Sequence, residues 1–337
     1  MQDRLLSTLQ SIADVALVSS LKDDRLGFPD KKDLRVFIPD LHLISEERRK
    51  TGNFKFGTNN EELLTKLLGA LKELKLNVGP GEQVNITHLG DVLDLWREVP
   101  FVKHNEDTAA KISNDHAALI NALRDPDLDA TIFYGNHDFE LYEWASYEGL
   151  VRRVLFPEHD PRVLVVHGDI FDWVESLPDL IQEIPVYLFA PGVEKSSVRL
   201  GQIRQDTTPN PNNTEHIKCP TPALVCQLRV TTESVPERFN VLASESAPAT
   251  GTTLFPEAVK TVKQINSQYN YKLNTIVIGH THHARIVTRT EGDILYTLID
   301  CGAWIEDCVS DGEEPQANSQ IAALCGNEVR VYQLRPK

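Results

Sequence analysis

The sequence predicts an α/β protein, and two features of its 337 residues carry that expectation. Apolar runs of strand length alternate with amphipathic segments of helix length, the rhythm of a layered α/β core. Five of the strand-like runs also end in clusters of Asp, His, Asn and Gly. In open α/β sheets ligand sites gather at the carboxyl ends of strands, so five such ends are expected to converge on one site.

Taken in order, residues 3–19 read as a leading helix of moderate amphipathicity, part of an N-terminal helical extension over 1–33. Residues 34–39 (LRVFIP) form a β-rich run that stops at Asp40. Residues 61–76 place Leu64, Leu67, Leu68 and Leu71 on one helical face, after cap candidates Thr58 to Asn60. Residues 84–88 read as a strand that ends at Gly90-Asp91. A second amphipathic helix is expected over 105–124, through Ile112, Leu119, Ile120 and Leu123, stopping before Pro126. Three more strand-like runs follow: 130–134 into Gly135-Asn136, 162–166 into His167, and 275–278 into Gly279-His280. Between Trp173 and Lys272 the alternation fades, and the proline-rich stretch 205–223 reads as an exposed loop. The chain is therefore expected to be one domain, 1–337. Its core would run over 34–172 and 273–337, with 173–272 as an insertion or cap. Runs 294–299 and 329–334 are expected to complete a second sheet. No internal repeat is present.

Composition bounds the function. At 41% hydrophobic and 25% charged residues the chain can supply a core. Its net charge of -15 repels phosphate backbones and anionic headgroups, so extended nucleic-acid or membrane binding is disfavoured. A small phosphorylated partner stays compatible, because bound cations reverse the field locally. The first twenty residues hold no uninterrupted signal-peptide core, and no apolar run is long enough to cross a bilayer. Five cysteines (219, 226, 301, 308, 325), odd in number and without CxxC spacing, fit reduced, buried thiols in a cytoplasm. Nothing in the pattern fixes an oligomeric state.

The polar strand ends carry the chemistry. They are Asp40-Leu41-His42, then GDVLD with Asp91 and Asp94, then Gly135-Asn136-His137-Asp138, then His167-Gly168-Asp169, then Gly279-His280-Thr281-His282. If these segments are extended, Asp40 and His42 share a face, as do His280 and His282. Glycine precedes the key residue at 90, 135 and 279, as expected beside a crowded centre. Asp40, His42, Asp91, Asn136, His167, His280 and His282 exceed what one ion needs if solvent must also enter. Shared between two ions through a bridging carboxylate, they give each ion four protein ligands. Imidazole and carboxylate without thiolate favours manganese, admits iron or zinc, and suits magnesium less. Two ions about 3.5–4 Å apart lower the pKa of a shared water and clamp an in-line displacement at phosphorus.

The ordered blocks DxH, GDxxD, GNHD, H and GHxH, spread from residue 40 to 282, resemble the calcineurin-like metallophosphoesterase superfamily. The resemblance implies a four-layer α-β-β-α sandwich of two mixed sheets, with a dinuclear metal site at the strand ends. It implies that Asp40, His42 and His282 hold one ion, that Asn136, His167 and His280 hold the other, and that Asp91 bridges them. His137 would contact the phosphoryl oxygen or protonate the leaving group, and Asp94 would hydrogen-bond its far nitrogen and fix its tautomer. GDVLDLW, HGDIFD and DCGAW (300–304) further resemble the bacterial UDP-2,3-diacylglucosamine pyrophosphatase branch. That branch usually carries arginine where this chain has His137, so its substrate is not carried over.

The expected activity is hydrolysis of a phosphodiester, pyrophosphate or phosphomonoester of a small molecule, by in-line attack of a metal-bridging hydroxide. The alternatives are a non-catalytic scaffold of the same fold, a mononuclear hydrolase of carbon–nitrogen bonds, and a phosphoprotein phosphatase. The last carries Arg-Gly and GNHE, where this chain has Leu95-Trp96 and Asp138. Simpler roles are expected elsewhere. Asp138 reads as a cap for the helix after it, and Asp169 and Asp172 read either as supports behind the ligands or as structural residues. His88, His104, His116, His159 and His216 read as ordinary histidines, and His283 as a structural or surface residue. Trp96 and Trp304 suit either core or pocket, and Arg97 is a candidate phosphate contact.

Overall fold

The computed structural model describes residues 1–26, 32–49, 58–98, 106–138, 141, 144, 151–152, 154–155, 162–171, 254–307, 316–317 and 319–337. The first half runs α1 (Gln2–Ile12), β1 (Asp14–Lys22), β2 (Asp33–Ile38), α2 (Glu46–Arg49), α3 (Thr58–Leu76), β3 (Gln83–His88), α4 (Leu95–Glu98), α5 (Glu106–Asp115), α6 (Ala117–Leu123) and β4 (Thr131–Phe133). Then come β5 (Val151–Arg152), β6 (Val154–Leu155), β7 (Val163–Val166), α7 (Leu254–Tyr269), β8 (Thr275–Ile278), β9 (Arg285–Glu291) and β10 (Ile294–Asp300). The chain closes with β11 (Glu306–Asp307), β12 (Gln316–Ala317), β13 (Gln320–Cys325) and β14 (Glu328–Arg335).

Two mixed sheets form the centre. One has seven strands in the order β1-β14-β13-β2-β3-β4-β5, and the other has five in the order β6-β7-β8-β10-β9. The strands that end in polar clusters (β2, β3 and β4 in one sheet, β7 and β8 in the other) run parallel to their neighbours in that set. Their carboxyl ends therefore emerge on the same side of each sheet.

Side-chain alternation builds the layers. Phe37, Phe133, Ala322 and Val331 of the first sheet meet Val163, Val165, Val277 and Ile299 of the second in one buried cluster between the sheets. Val36, Ile38, Val84 and Ile86 point the other way, onto Leu64, Leu67, Leu68 and Leu71 of α3 and onto Leu5 and Leu9 of α1. Leu164, Val166, Ile276, Ile278 and Leu298 likewise face Val259, Val262 and Ile265 of α7. The result is the α-β-β-α sandwich that the resemblance implies.

Several elements differ from the sequence reading. The leading helix stops at Ile12, and Ala13 turns extended at φ -146° and ψ 163°. Residues 14–22 become the edge strand β1, paired antiparallel with β14 from Asp14–Arg335 to Lys22–Glu328. Leu17 and Val18 are both exposed, so β1 shows no clean two-residue alternation, and its partner comes from the far end of the chain. Run 329–334 joins the first sheet as β14, whereas 294–299 enters the second as β10. The helix expected over 105–124 is broken at His116. There the ring donates from Nδ1 to Glu61 at 2.9 Å and from Nε2 to the Ile44 carbonyl at 2.8 Å. Burial opposes the charge on this ring, but those two bonds raise its pKa. The last part of segment 173–272 is core, because α7 packs on the outer face of the second sheet.

Trp304 is fully buried and donates its indole N–H to the Gln320 carbonyl at 2.7 Å, which makes it core rather than pocket. Cys301 and Cys325 are buried and form no disulfide among the described residues. Cys219, Cys226, Cys308, His104, His159, His216 and Asp172 lie outside the described residues, as do residues 173–253 and the side chains of Trp96 and Arg97. No described helix is long and apolar enough to cross a membrane.

Candidate metal centre

Loops at the ends of β2 and β3 are zipped together before any side chain is considered. The N–H groups of Leu41 and His42 both donate to the Asp91 carbonyl, at 3.0 and 2.9 Å, and Asp94 N–H donates to the Leu43 carbonyl at 2.8 Å. Asp40 is tied to the second sheet by Trp304 N–H, which donates to its carbonyl at 2.8 Å, and by His280 N–H, which donates to its Oδ2 at 2.9 Å. The DCGAW segment thus buttresses Asp40 from below. Gly279 N–H closes the β7 and β8 ends by donating to the His167 carbonyl at 2.9 Å.

The side chains then converge. His282 Nε2 lies 3.2 Å from Asp40 Oδ2 and 3.0 Å from His42 Nε2. Asp91 Oδ2 lies 3.5 Å from His42 Nε2 and 3.3 Å from His167 Nε2. Asn136 Oδ1 is 3.0 Å from His167 Nε2, and the His280 ring centroid is 5.1 Å from that of His167. All seven donors singled out in the sequence therefore meet in one place. Three combinations bring acidic and imidazole atoms close enough to share an ion: Asp40/His42/His282, His42/Asp91/His137 and Asp40/Asp91/His167. The second includes His137, to which the resemblance gives no ligand role.

Two expectations about backbone shape fail here. His42, Asp91, His280 and His282 have φ of 50°, 52°, 68° and 60°, so the strand ends are left-handed turns rather than extended segments. Their grouping does not come from strand alternation. Such backbones are costly outside glycine and persist where the surroundings enforce them, as at ligand sites. Of the preceding glycines, Gly135 and Gly279 answer to space, since a Cβ would sit 2.1 Å from Asp91 Oδ1 and 2.2 Å from Asp40 Oδ1 respectively, whereas Gly90 also holds a φ of 109°. Gly279→Ala is expected to displace Asp40 and to destabilise the fold by about 1–3 kcal/mol. Denaturant unfolding checks it, and an unchanged midpoint would mean that the loop yields freely.

Hydrogen bonding decides which ring nitrogens face the centre. A carboxylate or carbonyl only accepts, so the nitrogen bonded to it carries the proton. His42 Nδ1 donates to Asp94 Oδ2 at 3.0 Å, His137 Nδ1 to Asp94 Oδ1 at 2.9 Å, and His167 Nδ1 to the Leu89 carbonyl at 2.9 Å. Asp94, fully buried, thus orients His42 as well as His137, a double role that the spacing GDxxD does not reveal. Asp138 has a role that the sequence does not show. It is fully buried, accepting from Gly135 N–H at 2.7 Å and Leu93 N–H at 3.1 Å, so it staples the GNHD loop to the GDVLD loop, while most of the segment that it was expected to cap lies outside the described residues. Burial, then the charge of Asp91, pushes its pKa up to about 7. No local sequence signal marks such a staple, because the Leu93 amide is brought in by the fold from the GDVLD loop, whereas Gly135 lies three residues away in the same block. His88 is buried beside the centre, and burial pulls its pKa down to about 4. His283 is exposed, as expected.

The charge balance fits a cation. Asp40 Oδ1 is buried without a hydrogen-bond partner among the described residues. Burial pulls His42 down to about 4, against its bond to Asp94, so the ring is neutral with Nε2 bare. Burial also opposes charge on Asp40 and Asp91, yet neighbouring histidines, His167 foremost, hold both below the usual carboxylate range. His167 is buried too, but the charges of Asp91 and Asp40 outweigh that and push its pKa up to about 10. The bare lone pair of His42 and the ionised carboxylates of Asp40 and Asp91, buried together, are donors suited to a divalent metal, and His167 can join them by giving up its second proton.

Comparison with known proteins agrees. The model of the calcineurin-like phosphoesterases matches residues 36–284, a stretch that contains every side chain named in this centre except Trp304 and its neighbours. The match is to the family, not to the UDP-2,3-diacylglucosamine pyrophosphatase branch. No curated protein matches. Among solved structures, a conserved uncharacterized protein (predicted phosphoesterase) from Streptococcus pneumoniae TIGR4 is 11% identical, over 90% of this chain and 92% of that one, with a TM-score of 0.29. Vacuolar Protein Sorting 29 from Cryptosporidium parvum is 12% identical, over 90% and 98% of the two chains, with a TM-score of 0.30. On the family match, and with a donor cluster suited to metal at its strand ends, this chain belongs to the calcineurin-like phosphoesterase family of metal-dependent enzymes.

Proposed function

We propose that the chain hydrolyses a phosphodiester or pyrophosphate of a small molecule, with phosphomonoesters as poorer substrates, at a centre for two divalent cations. The observation that supports this reading is the position of Asp91. Its Oδ2 stands between His42 Nε2 at 3.5 Å and His167 Nε2 at 3.3 Å, the spacing of a carboxylate shared by two ligand groups. On this reading Asp40, His42 and His282 serve one cation, Asn136, His167 and His280 the other, and Asp91 both. Manganese is the favoured ion, with iron or zinc next and magnesium last. The bound pair would supply Lewis-acid activation of a water and of the phosphoryl oxygens.

The chain supplies the rest. Asp94 holds the Nδ1 proton of His137, which leaves Nε2 to meet the substrate, either at a phosphoryl oxygen or as proton donor to the leaving group. The Asp91 carboxylate also accepts His137 N–H at 2.9 Å, which fixes the backbone of that histidine against the centre. Residues 173–253 offer enough length for a cap that grips a second substituent on phosphorus, which favours a diester, nucleotide or sugar-nucleotide substrate. Cys301, a buried thiol in no disulfide among the described residues, fits a reducing compartment, the cytoplasm.

Two measurements test this. Elemental analysis should find two metal equivalents per chain; a single equivalent would overturn the dinuclear reading. With Mn²⁺ supplied, kcat/KM on bis-nitrophenyl phosphate should exceed that on nitrophenyl phosphate, and the reverse order would reassign the enzyme as a monoesterase.

Metal uptake should also release a proton. His167 keeps its second proton up to a pH of about 10 in the metal-free protein, and a cation at Nε2 must displace it. Below that pH, apparent Mn²⁺ affinity should therefore weaken as pH falls, by about tenfold per unit for the one displaced proton. Calorimetry at pH 7–9 in buffers of different ionisation enthalpy reads this directly. Uptake without proton release would remove His167 from the ligand set.

A further inference from the structure

In an extended backbone, residues two apart point the same way, so His280 and His282 would serve the same group. They do not. The His280 ring packs against His167, whereas His282 reaches Asp40 and His42. That division depends on the left-handed backbones at φ 68° and 60°, which a non-glycine chain holds only under restraint.

Thr281, between the two, carries the restraint. Its N–H turns back onto the Gly279 carbonyl at 2.8 Å, its hydroxyl oxygen accepts His283 N–H at 3.2 Å, and the same hydroxyl donates to Asp300 Oδ2. Asp300 ends β10, in register with Ile278 at the end of β8, directly beneath the loop. Its carboxylate is fully buried, with Arg285 Nη2 at 3.4 Å and Gly302 N–H at 3.5 Å as further contacts among the described residues. Burying a carboxylate is unfavourable unless its bonds offset the cost, and here they come from the Thr281 hydroxyl, from Arg285 across the β9–β10 pair and from Gly302.

We propose that Asp300 is a positioning residue for the metal centre: through Thr281 it locks the loop in its left-handed turn and so divides His280 and His282 between the two ligand groups. The loop anchor stands on geometry alone; its consequence for metal rests on the reading given under Proposed function. Neither residue is itself a candidate ligand.

The test uses the full chain as Thr281→Val, Thr281→Ser and Asp300→Asn, with two readouts. The first is amide hydrogen exchange over 279–283 in metal-free protein. Thr281→Val should exchange at least about tenfold faster, Asp300→Asn less so, and Thr281→Ser, which keeps the hydroxyl, at the wild-type rate. The second is Mn²⁺ titration by calorimetry, in which Thr281→Val should bind about 10–100-fold more weakly and Thr281→Ser as wild type. Rescue by serine separates the hydrogen bond from general packing. Should Thr281→Val fail to fold, the Asp300→Asn and Thr281→Ser pair carries the same comparison. Wild-type exchange and wild-type Mn²⁺ affinity in Thr281→Val and Asp300→Asn would overturn the proposal. A wild-type chain that takes up no Mn²⁺ would instead overturn the metal centre, with exchange still deciding the anchor.

Discussion

Asp91→Asn is expected to strip the protein of most of its bound metal and to lower kcat/KM by about a thousandfold or more, the several kcal/mol that a correctly held metal pair contributes. Asparagine is the sharper choice than alanine. Asp91 sits at φ 52°, a conformation that asparagine tolerates and alanine does not, so alanine adds backbone strain to the chemical loss. Asparagine also keeps an oxygen able to accept His137 N–H, now at 2.9 Å, and so preserves the join between the GDVLD and GNHD loops. What it removes is the negative charge between His42 and His167. Elemental analysis beside steady-state kinetics on the bis-nitrophenyl ester checks the outcome, and full activity in a metal-free variant would sink the dinuclear scheme.

The second large effect separates metal from proton. His137→Ala should retain its metal and lose about 10²–10⁴ in kcat, the usual contribution of a positioned proton donor. Metal is retained because Asp94 still orients His42 through its other oxygen at 3.0 Å. Asp94→Ala should behave differently. It frees both imidazoles, so turnover falls and metal affinity weakens together, by about 10–100-fold in affinity. The loss in His137→Ala should grow with the pKa of the leaving group, since a good leaving group needs no proton. If that variant keeps the wild-type kcat on a poor leaving group, the proton-donor role belongs elsewhere.

How much of this was legible in the sequence follows from what is local. A buried β-run that ends in Asp-x-His or Gly-Asn-His-Asp is a one-dimensional signal, because apolar residues fill the strand and polar ones begin where it leaves the core. The runs that form β2, β3, β4, β7 and β8 carry it, and with them all seven candidate ligand positions. The double service of Asp94, the staple made by Asp138 and the anchor beneath Thr281 carried no such mark. Each joins groups from different segments, mostly through backbone amides, which look alike in any sequence.

The sequence by itself determined the layered α/β class and the set of side chains that meets at the strand ends. Only the tertiary structure decided which sheet received each late strand, why residues 14–22 are a strand at all, and how two histidines on one short loop come to face opposite ways. The physical reason is the same in each case. Strand pairing between residues 14 and 335, and left-handed turns at His42, Asp91, His280 and His282, are stabilised by partners hundreds or dozens of residues away rather than by the local preferences of the chain.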